Sequence, residues 1–258
     1  MNRLLDCYSK EIPSGDMRFE TQHNKFRNMK TIVIILLIFI TLSTKAQDQP
    51  EPPKGMVYVP AGGFIMGSKY GDPDERPQQI ATTKAFFIDK YEVSYAEFAL
   101  FDPEFKVPKG KDNNAAVVTW SQGNDYAKWA GKRLPTEKEW EKAARGTDGR
   151  IFPWGNTYDN TYVVWDRTLT RGGSIANPAS PYGCYDMAGS VWEWTSDWYK
   201  PYPGNDTPME QYGEKYKVMR GGSNFNNHSF IRTSHRYYLL PEDIRAYPVG
   251  IRCVKDIE

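Results

Sequence analysis

The sequence has few of the residues from which soft-metal sites are built. Its 258 residues include three cysteines and three histidines, and no two cysteines are close enough in the chain to form a C-x-x-C metal motif. The charges nearly balance, with 33 Lys and Arg against 32 Asp and Glu. No basic run provides an electrostatic footprint for nucleic acid or for an anionic membrane surface, so nucleic acid is not an expected partner.

Long hydrophobic runs are also scarce, and the clearest one is residues 32–39 (IVIILLIF). Lys30 precedes it and a stretch of small and polar residues follows it, an order typical of a secretory signal peptide. The run is too short to span a bilayer comfortably. We therefore expect residues 1–47 to be an N-terminal extension and signal peptide, and the protein to be exported, periplasmic or extracellular, with no stable membrane span. Translation could start at Met1 or at Met29. The segment from Met29 is a complete signal by itself, and a start at Met1 would give it an unusually long polar n-region.

The remaining chain is predicted to form one domain. Residues 48–54 (DQPEPPK) are rich in proline and have the composition of a linker. Residues 55–258 are numerous enough for one well-buried domain and too few for two. The predicted organisation is therefore an extension and signal over 1–47, a linker over 48–54 and a single domain over 55–258.

The first part of this domain is predicted to contain short strands and two short helices. Residues 56–60 and 63–67 flank Ala61-Gly62, a pattern that indicates a hairpin. Residues 86–93 read as a strand that leads to Ser94, a suitable N-cap for a helix over 95–100. Residues 120–130 have apolar positions at helical spacing.

A third helix carries the clearest local signal. Thr136 can cap it, and Glu139, three residues on, can reach back to the N–H of the cap. Trp140 and the alanines after it would then face inward, while residues beyond 146 lose helical periodicity and become rich in Gly, Asn, Pro and aromatics. Large aromatic side chains must then supply much of the core. The tryptophans expected there are Trp120, Trp129, Trp140, Trp154, Trp192 and Trp194, whereas Trp198 and Tyr199 are assigned either to the core or to a groove.

Several motifs together resemble the formylglycine-generating enzyme family, also called the sulfatase-modifying-factor family. They are MVYVPAGGFIMGS at 56–68, KRLPTEKEWEKAAR at 132–145, FPWGN at 152–156, GSVWEW at 189–194, RGGS at 220–223 and GIRC at 250–253. The resemblance implies an α+β fold: a single loop-rich, C-type-lectin-like domain with short strands and a few short helices.

The cysteines of the family are largely absent from this chain. Members that oxidise a substrate cysteine hold Cu(I) with two thiolates, and the matching positions fall near Asn226 and at His228. This disfavours copper. The resemblance also implies a disulfide partner for Cys253 at a position that is Ala127 here. Whether Cys184 replaces that partner, or both are buried thiols, stays open.

Polar residues near the RGGS motif are the candidates for catalysis. Ser223, His228, His235 and Arg236 lie where the family forms its active-site cleft, and histidine is the side chain best suited to proton transfer near neutral pH. The alternative for His228 is a surface residue in an Asn-rich loop. The acidic segment 72–77 (DPDERP) is interpreted as a solvated turn.

The GSVWEW loop resembles a structural calcium site. By that resemblance the ligands would be backbone carbonyls of Ala188, Gly189 and Val191 with the carboxylate of Glu193, a set of oxygen donors that calcium accepts. The alternative is a buried Glu193 paired with an arginine such as Arg252.

The expected function is that of an exported, calcium-stabilised binding or accessory protein of the periplasm or cell envelope. Its cleft would hold a peptide, a glycan or an envelope protein. The alternative is a sulfatase-modifying or related tailoring oxidoreductase that acts on a peptidyl or siderophore substrate without the cysteine pair.

Overall fold

The structure, a computed structural model, describes residues 49–163, 178–223 and 227–257. The predicted signal segment lies outside this range. In the range that is described, no helix has the length and apolar character needed to cross a membrane. Three α-helices and nine strands form its regular structure: β1 (Met56–Val59), β2 (Gly62–Met66), β3 (Gln79–Thr83), β4 (Phe86–Asp89), α1 (Tyr95–Phe101), α2 (Trp120–Trp129), α3 (Glu137–Arg145), β5 (Trp192–Trp198), β6 (Lys217–Arg220), β7 (Tyr237–Leu239), β8 (Val249–Gly250) and β9 (Val254–Asp256).

The strands form three small sheets with orders β1-β4-β9, β2-β3 and β7-β6-β5-β8. All neighbouring strands are antiparallel except β5 and β8. Most of the other described residues lie in loops, so the predicted loop-rich α+β class with short strands and short helices is confirmed.

The predicted hairpin between β1 and β2 is wrong. β1 pairs with β4, and β2 pairs with β3. The two strands belong to separate apolar clusters: Val59 of β1 packs with Phe86 and Ile88, whereas Phe64 of β2 packs with Tyr202. Because each strand buries its apolar residues against a different part of the protein, the short connection at Pro60 and Ala61 joins two sheets and is not a hairpin turn.

The predicted helix starts are confirmed. The Ser94 hydroxyl accepts a hydrogen bond from the N–H of Glu97, and the Glu97 carboxylate accepts one from the N–H of Ser94. Thr136 and Glu139 form the same reciprocal pair at the start of α3. These capping boxes satisfy N–H groups that have no partner within the helix.

The helix α3 lies at the centre of the domain. Trp140, Ala143 and Ala144 are fully buried in one cluster with residues of β1 and β4, as predicted. Of the other tryptophans, Trp192 and Trp194 are also fully buried. The core assignment of Trp129 is wrong: it is 55% exposed, with its ring tilted against those of Phe101 and Tyr126.

The two cysteines in the described residues are free and buried. Cys253 packs in the same cluster as Ala127, whereas Cys184 belongs to the cluster around Trp140. Burial raises the pKa of the Cys184 thiol to about 11. The sequence left open whether Cys184 and Cys253 form a disulfide or are both buried thiols. In the structure they are separate buried thiols.

Candidate functional site

An acidic loop between β2 and β3 is packed into the protein by residues from the C-terminal third of the chain. It contains a short 3-10 turn at Pro73–Glu75. Glu75 is 0% exposed and Asp74 is 5% exposed. The prediction of a solvated turn is therefore wrong, and the reason is that basic and hydroxyl side chains more than 120 residues away along the chain supply its partners.

Arg232 provides most of the compensating charge. Its Nη1 donates to Glu75 Oε2 at 2.8 Å and its Nη2 to Glu75 Oε1 at 2.6 Å. The same Nη2 lies 3.3 Å from Asp72 Oδ2. Ser234 donates its hydroxyl to Glu75 Oε2 at 2.7 Å. A bidentate pair of this kind holds a buried carboxylate in one orientation.

His235 is the second basic group of this cluster. It is 5% exposed, and its Nδ1 lies 3.2 Å from Asp72 Oδ2 and 3.5 Å from Glu75 Oε1. Burial disfavours its charged form, but the hydrogen bonds to Asp72 and Glu75 outweigh burial, so the pKa of His235 is raised. The hydrogen bond from His235 in turn lowers the pKa of Asp72.

Asp72, Glu75 and His235 have the chemistry of metal ligands, and their ligand atoms lie within 4.8 Å of one another. Arg232 Nη2, however, lies within 3.5 Å of an atom of each of the three. The guanidinium therefore occupies the position from which a cation would neutralise the two carboxylates. The cluster acts as an ion-paired connection between the acidic loop and residues 232–235.

Arg236, the fourth predicted catalytic residue, is buried in a different ion pair. Its Nε and Nη2 donate to the two carboxylate oxygens of Glu137 at 2.6 and 3.0 Å. Arg220 also donates to Glu137 at 3.0 Å. Burial opposes the charge of Glu137, but the two arginines outweigh it and lower its pKa. These contacts fix α3 against β6 and the chain before β7.

The remaining predicted residues lie elsewhere. His228 is exposed, with its ring 5.2 Å from that of Tyr158. Ser223 is fully buried after Gly221 and Gly222, which both have positive φ. A Cβ at Gly222 would lie 2.8 Å from the Ile231 side chain, so the close approach expected of this motif is present. Of the four predicted residues, the structure brings His235 and Arg236 to one pocket and leaves His228 at the surface.

That pocket has a cavity volume of about 370 Å³ between the acidic loop and β7. His235 and Arg236 line it together with Asp72 and Asp74. Its remaining walls are mainly apolar side chains, including Tyr199, Met209, Phe230, Tyr237 and Tyr238. Burial raises the pKa of Asp74, which accepts a hydrogen bond from the Tyr199 hydroxyl at 2.7 Å. The pocket is suited to holding an apolar group.

The GSVWEW loop contains the ion pair that was the alternative to calcium. Glu193 accepts hydrogen bonds from Arg252 Nη2 at 2.9 Å and from the indole N–H of Trp140 at 2.7 Å. Glu92 is also fully buried here, and its pKa is raised by burial and by the charges of Asp186 and Glu193. Arg252 therefore has more than one buried carboxyl group near it: Glu193 is its ion-pair partner, and a carboxylate oxygen of Glu92 lies 3.8 Å from its Nη2.

Sequence reasoning missed the roles of Asp72, Glu75 and Arg232. The acidic segment was recognised, and so was the segment that contains His235 and Arg236. No local pattern connects them, because Arg232 and Glu75 are 157 positions apart. The available signal was the group of basic residues after the RGGS motif, namely Arg232, His235 and Arg236. If such residues are buried, carboxylates from elsewhere in the chain must lie nearby.

The chain is similar to known proteins in both sequence and structure. Residues 42–257 match the family model described as the sulfatase-modifying factor enzyme 1-like domain. The formylglycine-generating enzyme of Bos taurus is 30% identical over 81% of this chain and 76% of the bovine protein. The serine/threonine-protein kinase pkn1 of Chlamydia caviae is 29% identical over 83% of this chain, and the match spans 40% of that kinase. Among solved structures, PvdO from Pseudomonas aeruginosa superposes with a TM-score of 0.64 at 24% identity, over 81% of this chain and 100% of that one.

Proposed function

Since the chain belongs to the sulfatase-modifying factor enzyme 1-like domain family, we propose that it is an exported binding or accessory protein of this family and not a cysteine oxidase. Its cleft would hold a peptide, a glycan or an envelope protein. The export part of the proposal is supported by the apolar run at 32–39, whose flanks are those of a signal peptide.

One observation carries the binding role: the two basic side chains at the predicted active site, His235 and Arg236, are held in ion pairs, and the remaining ring nitrogen of His235, Nε2, is buried. His235 faces Asp72 and Glu75, and Arg236 faces Glu137. A general base needs a nitrogen or oxygen that can reach the proton it removes. The Nδ1 of His235 is instead used to hold the acidic loop, and the pocket beside it is lined by aromatic rings.

The cysteine residues support the same proposal. Cu(I) prefers soft thiolate ligands, and by the family resemblance the positions of the thiolates fall near Asn226 and at His228 in the sequence. Cys184 and Cys253 belong to separate apolar clusters and are buried, and burial raises the pKa of both thiols. Neither thiol is arranged to replace a copper ligand.

Calcium stabilisation is a second part of the proposal. The buried carboxyl groups of Glu92, Asp186 and Glu193 lie close enough to interact with one another, and carboxyl oxygens are donors that suit a hard cation. Backbone carbonyls of Ala188, Gly189 and Val191 would complete the site. Because Glu193 already accepts hydrogen bonds from Arg252 and Trp140, it would share its carboxylate between these groups and the ion.

Copper binding tests the binding role against the oxidase alternative. The purified protein is incubated with Cu(I) and a competing chelator, beside a variant that restores two thiols, Asn226→Cys with His228→Cys. We expect the wild type to retain no copper and the variant to gain affinity. Stoichiometric copper in the wild type, with oxidation of a peptidyl or siderophore substrate, would establish the tailoring oxidoreductase instead.

A further inference from the structure

A groove with a cavity volume of about 640 Å³ runs along β3. Four consecutive residues of this strand, 79–82, line it. Successive side chains of a strand point to opposite faces of its sheet. A cavity that contacts all four therefore follows the edge of the strand and not one of its faces.

The edge of β3 that faces the groove is open in the described part of the chain. β3 belongs to a two-stranded sheet in which its only partner is β2. An unpaired edge presents a row of backbone N–H and C=O groups, and proteins usually protect such edges with charged residues, proline or bulges. The strand, QIATT, contains neither charge nor proline, and Ile80 is 71% exposed. This edge is thus available for pairing with a further strand.

The opposite wall is formed by the end of β5 and the chain that follows it. Trp198, Pro201 and Pro203 line this side. Trp198 is half-buried, and its ring packs on the ammonium of Lys217 at 3.8 Å. The groove thus has a strand edge on one side and apolar side chains on the other, the two features that strand addition uses for backbone pairing and for side-chain contacts.

The exposed charges of the groove are basic. Lys138 at the start of α3 is exposed and has no ion-pair partner among residues 49–163, 178–223 and 227–257. The Lys200 side chain is 53% exposed and forms an exposed ion pair with Glu214 at 2.7 Å, a contact that an acidic ligand would compete with. The acidic residues that line the groove are less accessible: Glu137 is buried in its pairs with Arg220 and Arg236, and Asp197 is half-buried and accepts a hydrogen bond from the N–H of Glu137 at 2.7 Å. The accessible charge therefore complements an acidic ligand.

We propose that this groove binds an extended acidic peptide segment of a partner protein, which adds to β3 as a strand while its carboxylates face Lys138 and Lys200. This inference rests on the proposed binding role. Backbone hydrogen bonds to β3 would provide much of the affinity, and the two lysines would select for charge.

The test uses three synthetic probes with the full-length protein. The first is Ac-Thr-Val-Glu-Val-Glu-Val-Thr-NH2, the second replaces both Glu by Lys, and the third carries N-methyl groups on alternate amides of the acidic peptide. Binding is measured by calorimetry, and hydrogen–deuterium exchange of residues 79–83 is followed by mass spectrometry. We expect the acidic peptide to bind about tenfold or more tightly than the other two and to slow exchange at 79–83.

Charge-reversed variants distinguish the groove from a general charge effect. The double variant Lys138→Glu with Lys200→Glu should lose the preference for the acidic peptide, whereas Lys109→Glu with Lys128→Glu, which changes the net charge equally at exposed sites outside the groove, should keep it. Failure of the acidic peptide to bind, or binding without protection of 79–83, would overturn the inference. Concentration-dependent protection of 79–83 in the protein alone, with a dimer in sedimentation, would assign the edge to a second copy of the chain and also overturn it.

The outcome is independent of the copper experiment. If no peptide binds and the protein also lacks copper and oxidase activity, the inference fails while the binding role stands. If the protein oxidises a substrate, the binding role fails whatever the peptides do.

Discussion

The Nδ1 of His235 lies 3.2 Å from Oδ2 of Asp72. This contact, together with the bidentate pair of Arg232 and Glu75, fastens the acidic loop after β2 to the chain before β7. A residue selected from the sequence as a candidate acid–base group thus has a structural partner. The contact also makes stability depend on pH.

Replacement of His235 by Asn tests that dependence. Because the pKa of His235 is raised in the folded state, its stabilising contribution is complete below the unfolded value of about 6.5 and is lost as pH rises through the folded-state pKa. Asn keeps a donor near the position of Nδ1 but does not titrate. The difference in unfolding free energy between wild type and His235→Asn, measured in urea from pH 6 to 9, should fall as pH rises. A difference that stays constant or grows would show that His235 does not carry this charge.

Arg236 is expected to stabilise the folded protein. Truncation by Arg236→Ala leaves Glu137 buried with Arg220 as its remaining ionic partner, and breaking a buried pair typically costs about 3–5 kcal/mol. Arg236→Lys keeps the charge and should lose less. Arg245→Ala, at an exposed arginine, serves as the control and should unfold like the wild type. Unfolding is measured in a chemical denaturant. An unfolding curve for Arg236→Ala that matches the curve of the control would contradict the structural role.

Calcium stabilisation is tested by thermal unfolding in calcium chloride and in a chelator. We expect calcium to raise the Tm of the wild type. Glu193→Gln should lower the Tm in both conditions, because it weakens the pair with Arg252, and should also reduce the increment due to calcium. Equal Tm values for the wild type in both conditions would remove the calcium proposal and leave the ion pair as the whole role of Glu193.

The two buried cysteines should resist thiol reagents. Burial raises the pKa of Cys184 to about 11, and the thiolate is the reactive form. In a Cys7→Ser variant, we expect no reaction with a disulfide reagent in the native state and two thiols after denaturation. The absence of any free thiol after denaturation without reductant would indicate that Cys184 and Cys253 pair.

Local features of the fold were predictable because their interacting groups are close in sequence. The caps Ser94 and Thr136 find their glutamates three residues later, and the inward face of α3 follows from the positions of Trp140 and the alanines after it. The exposure of Trp129 was not predictable in this way, because helical spacing places a residue on a face but does not show whether another element covers it.

The site was predictable only in part. The segment containing His235 and Arg236 was recognised, but their roles depend on carboxylates from distant parts of the chain, such as Asp72 and Glu137. The pairing of β2 with β3 was missed for a similar reason. The loop between these strands is acidic, and the sequence alone does not show that Arg232 pairs with it and holds it against the protein. Long-range ion pairs of buried groups leave no periodic pattern in a sequence.

The most direct test of the binding role is the search for an aldehyde product. A sulfatase-motif peptide is incubated with the purified protein, Cu(I), oxygen and a thiol reductant, and formylglycine is measured by mass spectrometry beside an active formylglycine-generating enzyme. If His235 and Arg236 serve in ion pairs, and if no thiolates replace the family's copper ligands near Asn226 and at His228, the protein should leave the peptide cysteine unchanged. Conversion of that cysteine to formylglycine at a rate that depends on the protein and on copper would contradict the account.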